Sequence, residues 1–127
     1  MPVNSEERSL VESMFKAMQM GPEGEELMVG LFAADGELTE PFSGKPQTHK
    51  GTEGIRAFFK SATTDTPPDM KIVMDRLDRD GERVRADWTC TSPAFPKPMR
   101  GHDLYTIRDG KIVRVEIVVT DMPPMGP

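Results

Sequence analysis

"MKIVMDRLDRDGERVRADWTCTS", residues 70–92, decides the fold. Val84, Ala86, Trp88 and Cys90 alternate strictly with Arg83, Arg85, Asp87 and Thr89. Successive side chains of a strand point to opposite faces, so this is a half-buried strand with its apolar row inward. "DRDGE" before it carries turn chemistry and joins it to an earlier strand that begins near Met70. Further on, "FPKP", residues 95–98, marks an edge loop or bulge, because proline has no N–H to give to a ladder. "MRGHDLYTIRDGKIVRVEIVV", residues 99–119, reads as a hairpin with "RDGK" at its tip. The second half of the chain is thus four strands in an antiparallel meander.

Upstream of Pro68 the period is helical. "NSEERSLVESMFKAM", residues 4–18, has Asn4 or Ser5 as cap and acids in its first turn. Leu10, Val11, Met14, Phe15 and Met18 form its apolar stripe. "MGPEGEELMVGLFAADG", residues 20–36, reads as a second helix: Pro22 opens it, Leu27, Met28, Leu31 and Phe32 are its buried face, and Gly36 ends it. A short strand follows, then "SGKPQTHKG", residues 43–51, a polar loop. "GTEGIRAFFKSAT", residues 51–63, is a third helix, capped by Thr52, with Ile55, Phe58 and Phe59 inward; "TDTPPD", residues 64–69, closes it. Helices grouped before a run of hairpins give an α+β domain, a curved antiparallel sheet wrapped over helices.

The strand after the second helix holds an anomaly. In "GELTEPFSG", residues 36–44, Glu40 shares a face with Leu38 and Phe42. A second acid raises the same question. In the last strand Val113, Val115, Ile117 and Val119 form the core face, with Ile112 on the other. A two-residue "DG" turn sets Ile107 opposite Ile112 and turns Asp103 to solvent. A three-residue "RDG" loop ending in a left-handed Gly110 sets Tyr105 opposite Val113 and Asp103 opposite Val115, inside. The second register is preferred, since it buries Tyr105 and Ile107. Glu40 and Asp103 then point into one hollow. Burial raises a carboxyl pKa and is costly unless the group is paired or used, and such groups cluster at functional sites.

Composition limits the classes of function. The chain has 127 residues, net charge −5, 29% charged and 36% hydrophobic residues, which fits one domain, residues 1–127, with a loose tail at 122–127. Acidic and basic residues are mixed, which excludes a basic nucleic-acid-binding stripe. No apolar run reaches membrane-spanning length. "MPVNSEERSL" lacks the basic start and apolar stretch of a signal peptide, and a single cysteine, Cys90, excludes an internal disulfide and a multi-cysteine metal site. A cytoplasmic setting with no metal and no cofactor is expected. Ten methionines serve as adaptable core filler or as the wall of a pocket that moulds to an apolar ligand. His49 reads as a solvent-exposed loop residue, His102 as an outer-face residue, and Cys90 as an inert buried thiol.

Residues 31–59, "LFAADGELTEPFSGKPQTHKGTEGIRAFF", and 102–112, "HDLYTIRDGKI", resemble the ketosteroid isomerases of the nuclear transport factor 2-like, or SnoaL-like, superfamily. The resemblance implies a cone-shaped sheet over three helices. It implies proton transfer next to a carbonyl, with Glu40 as base and Asp103 as a protonated oxyanion donor; the neutral carboxylic acid of that family is an established example of pKa tuning. The family's helix tyrosine is missing, since Phe15 or Lys16 of "ESMFKAM" stands in its place. Tyr105 is the candidate substitute. Phe15, Met18, Phe42, Phe59, Trp88, Val115 and Ile117 are the candidate walls for a small apolar carbonyl compound. A homodimer through the outer sheet face, by way of Leu104, Ile112 and Val118, is expected. The rival functions are a non-catalytic binding module and a polyketide cyclase or hydrolase of the same fold.

Overall fold

A computed structural model describes residues 3–42, 44–64 and 69–122. Helix α1 spans Ser5–Met18 and starts with a capping box: the Asn4 side chain accepts from the Glu7 N–H at 2.8 Å, and Glu7 Oε1 accepts from the Asn4 N–H at 3.1 Å. Val11, Met14, Phe15 and Ala17 are its buried face. The expected long second helix is instead a 3-10 turn, Gly21–Gly24, and a short helix α2, Glu25–Gly30. At Leu31 the backbone is captured by the sheet, its carbonyl accepting from the Ile112 N–H at 2.9 Å. Strand β1 therefore begins at Phe32 and runs to Glu40. A short apolar run such as "LFAA" suits helix or strand alike, and tertiary pairing decides it.

Gly36 is consequently no helix stop. It lies in β1 where the pairing slips between Phe32 and Glu37. A Cβ there would sit 3.0 Å from both the Ala33 and the Ile112 carbonyl oxygens. The polar segment after β1 also contains structure: β2, Gln47–Lys50, pairs antiparallel with β1. Helix α3, Gly51–Thr64, already includes Thr52 in its first turn and buries Ile55, Phe58 and Phe59. Residues 65–68, most of the expected closing loop, and 123–127, most of the expected tail, lie outside the described residues.

Strands β3 (Lys71–Asp80), β4 (Arg83–Thr91), β5 (Met99–Arg108) and β6 (Lys111–Asp121) form the meander, with Val84, Ala86, Trp88 and Cys90 all buried. The sheet order is β2-β1-β6-β5-β4-β3, and β1 pairs with β6 in parallel. The sheet is mixed, with one parallel junction between the halves of the chain, and the helices cover its inner side. No helix among the described residues is long and apolar enough to cross a membrane.

The last hairpin resolves the register in an unexpected way. Its turn is the two-residue form: Arg108 faces Lys111, Ile107 faces Ile112, and Asp109 and Gly110 have φ of 52° and 74°. The ladder then slips by one, so that Thr106 faces Arg114, Tyr105 faces Val115 and Asp103 faces Ile117. Val113 is the extra residue of a bulge. Tyr105 and Asp103 are thus buried as expected, through a different turn and different partners. Ile112, expected outside, is fully buried in the core, leaving Leu104 and Val118 half-buried on the outer face beside the Arg83–Glu116 and Arg85–Asp87 ion pairs.

Candidate functional site

A cavity of about 440 Å³ opens between the inner sheet face and helices α1 and α3. Phe15, Met18, Phe42, Trp88 and Ile117 line it, together with Glu40 and Asp103. Met14, Met70, Met99 and Met122 add to the wall, so methionine here is pocket surface as well as filler; Met28, by contrast, is core. Phe59 and Val115 do not reach the cavity. Both are fully buried, Phe59 under α3 and Val115 beneath the sheet between Tyr105 and Leu38. Phe58, one residue before Phe59, takes the lining position.

Glu40 and Asp103 are the two charged residues buried among those described, each 6% exposed. Alternation along β1 carries Glu40 inward with Leu38. Its Oε1 accepts from the Phe42 N–H at 2.8 Å, and its Oε2 lies 2.9 Å from His49 Nε2. Those two partners fix the plane of the carboxylate. They leave a further acceptor position on each oxygen.

The expectation that His49 is an exposed loop residue does not hold. It stands on β2 opposite Leu38, on the inward face, one diagonal step from Glu40, which faces Gln47. Its ring packs tilted on Phe58 with centroids 5.3 Å apart, and it lines the cavity. The sequence signal was weak: "QTHK" is polar throughout and lies between Pro46 and Gly51.

Asp103 is held from two sides. Trp88 Nε1 donates to Oδ1 and the Tyr105 hydroxyl donates to Oδ2, each at 2.9 Å. Burial pushes the Asp103 carboxyl up to about 6, while those two donors pull it down. Tyr105 is itself fully buried and does not line the cavity; burial, with the Asp103 carboxylate beside it, holds its phenol well above the ordinary value. Its hydroxyl reaches Asp103 from behind the cavity wall. Gly101 faces Trp88 across the ladder and makes room for the indole, since a Cβ there would lie 2.7 Å from Trp88 Cζ2. Cys90 lines the cavity with its thiol pushed up to about 11 by burial, which makes it a poor nucleophile. His102 lies on the outer face beside Arg85, Asp87 and Glu116. Among the described residues no three His, Cys, Asp or Glu side chains are grouped to hold a metal ion.

The fold has many solved counterparts. A protein from Kribbella flavida provisionally assigned as a ketosteroid isomerase superposes with a TM-score of 0.71 at 18% identity, over 99% of this chain and 86% of that one. A provisionally assigned isomerase of the SnoaL-like family from Agrobacterium tumefaciens gives 0.73 at 18%, over 91% and 98%. A provisionally assigned polyketide cyclase from Sinorhizobium meliloti gives 0.70 at 20%, over 86% and 93%. These likenesses show the α+β cone of the nuclear transport factor 2-like proteins. None of the curated proteins matches the chain by sequence. A family profile described as a SnoaL-like domain matches residues 11–115, from the first helix to the strand behind Asp103, and the chain belongs to that SnoaL-like family.

Proposed function

We propose that the protein is an isomerase-type enzyme that moves a proton next to a carbonyl in a small apolar substrate. The observation that carries this reading is the placement of the two buried acids, Glu40 and Asp103, in the wall of one apolar cavity. Glu40 takes the α-proton through a free acceptor position. The C–H electron pair moves into the carbonyl, forming an enolate or dienolate. Protonated Asp103 donates a hydrogen bond to that oxygen, and burial favours the protonated form. Glu40 then returns the proton to a different carbon. Tyr105 and Trp88 position Asp103, and His49 with the Phe42 N–H positions Glu40. The same deprotonation would begin the ring closure of a polyketide cyclase, so the cavity's fit to a substrate, and not the two acids, separates these chemistries.

The test is conversion of a β,γ-unsaturated ketosteroid to its conjugated isomer, followed by ultraviolet absorbance. Wild-type turnover should fall about 10²–10⁴-fold in Glu40→Gln, the usual contribution of a positioned base. The rate should also fall as pH rises through about 6, where Asp103 loses its proton. Absence of conjugated product from the wild-type protein would remove steroid isomerisation as its activity.

A further inference from the structure

The charges in the cavity wall are unbalanced. Among the described residues the lining holds Glu40, Asp103 and His49, and no lysine or arginine. Arginines with ion pairs are engaged elsewhere: Arg56 with Glu25 and Glu26, Arg79 with Glu7, Arg83 with Glu116, and Arg85 with Asp87. Glu40 has an imidazole beside it. Asp103 is more than nine-tenths buried, and its partners are an indole N–H and a phenol O–H, both neutral. A buried carboxylate without a counter-charge is costly, and a cation brought to it relieves that cost. The rest of the wall suits the body of such a cation. Phe15, Phe42, Phe58, Phe95 and Trp88 line it with aromatic rings, the side chains that attract ammonium groups, and the methionines add polarizable sulfur.

We propose that this cavity binds an apolar ammonium ion, a tertiary or quaternary amine with a hydrocarbon body, with its charge set against Asp103 and its body against the aromatic and methionine wall. With Asp103 ionised, the same wall disfavours an apolar anion. The inference goes beyond the proposed isomerase chemistry and uses Asp103 in its ionised form, where that chemistry uses the protonated one.

Trp88 is the single tryptophan of the chain and forms part of the wall, so its fluorescence reports occupancy directly. Three probes of similar shape are titrated at pH 8: phenyltrimethylammonium, the neutral isostere tert-butylbenzene, and benzenesulfonate. The cation should bind at least tenfold tighter than tert-butylbenzene, and benzenesulfonate should be weakest. In Asp103→Asn the preference for the cation over its isostere should disappear. Equal or tighter binding of the neutral isostere to wild-type protein, or binding of the sulfonate as tight as the ammonium, overturns the proposal without any variant needing to fold. Steroid turnover is read separately, so either idea can fail alone.

Discussion

Alternation exposed Glu40 and Asp103 because each interrupts an apolar row, and a carboxylate among Leu, Phe and Tyr is visible without coordinates. Their partners were not visible. Tyr105 lies two residues from Asp103, but its full burial and its hydrogen bond to the acid are seen only in the fold. Phe58 and Phe59 are adjacent on one helix face, and the period of the helix does not say which of them borders a void. At this scale the clearest expectation concerns Asp103. Its folded value, about 6, stands above the ordinary 3.8. The proton is therefore bound more tightly in the folded chain, and the stabilisation is complete below about 4 and lost as pH rises through 6. The contribution is about 3 kcal/mol at most, from 1.36 kcal/mol per pKa unit. Urea midpoints of Asp103→Asn should lose this part of the pH dependence; parallel curves for the two proteins would contradict it. Tyr105→Phe removes a donor that lowers the Asp103 value, so the carboxyl should titrate higher, measurable by carbon NMR of the Asp103 side chain. His49→Ala takes away a charge-assisted partner of a buried acid and should cost about 1.5–3 kcal/mol in urea unfolding.

The elements were legible in proportion to the strength of their periodicity. Helices α1 and α3 and strand β4 stand where the pattern puts them. Strand β2 was missed because four polar residues have no apolar row, and pairing with β1 supplies what propensity does not. The end of the second helix was misread for the opposite reason, an apolar run that fits either period. Contacts between elements make sharper forecasts than the elements themselves. Gln19 fastens the end of α1 to β3 like a short strand: its amide nitrogen donates to the Ile72 carbonyl at 3.1 Å and its oxygen accepts from the Ile72 N–H at 3.0 Å. Gln19→Ala should cost about 1 kcal/mol, read as a lower urea midpoint. Gly101 allows β5 to pass Trp88 with no side chain between them, and a Cβ would also lie 2.2 Å from the Val118 carbonyl oxygen. Gly101→Ala should cost roughly 1–3 kcal/mol and shift the Trp88 emission, as overpacking does.

For the molecule as a whole, the meander and the α+β class follow from the change of period near Pro68, but the order of the sheet does not. The parallel pairing of β1 with β6 joins residues from the two halves of the chain and puts Glu40 and Asp103 in one enclosure. With the halves sharing one ladder, Trp88 fluorescence and far-ultraviolet circular dichroism should report a single coincident urea transition; separate midpoints would mean that the halves unfold independently. The bulge at Val113 has a consequence for how this sheet can change. Since that residue stands outside the count of facing pairs, β6 can lose it and still meet every partner from Arg114 onward. Loss of Glu116 instead would turn Ile117 away from the cavity and bring Val118 in. Deletions along this strand should behave like shifts of a reading frame, silent at one position and scrambling everything downstream at the next.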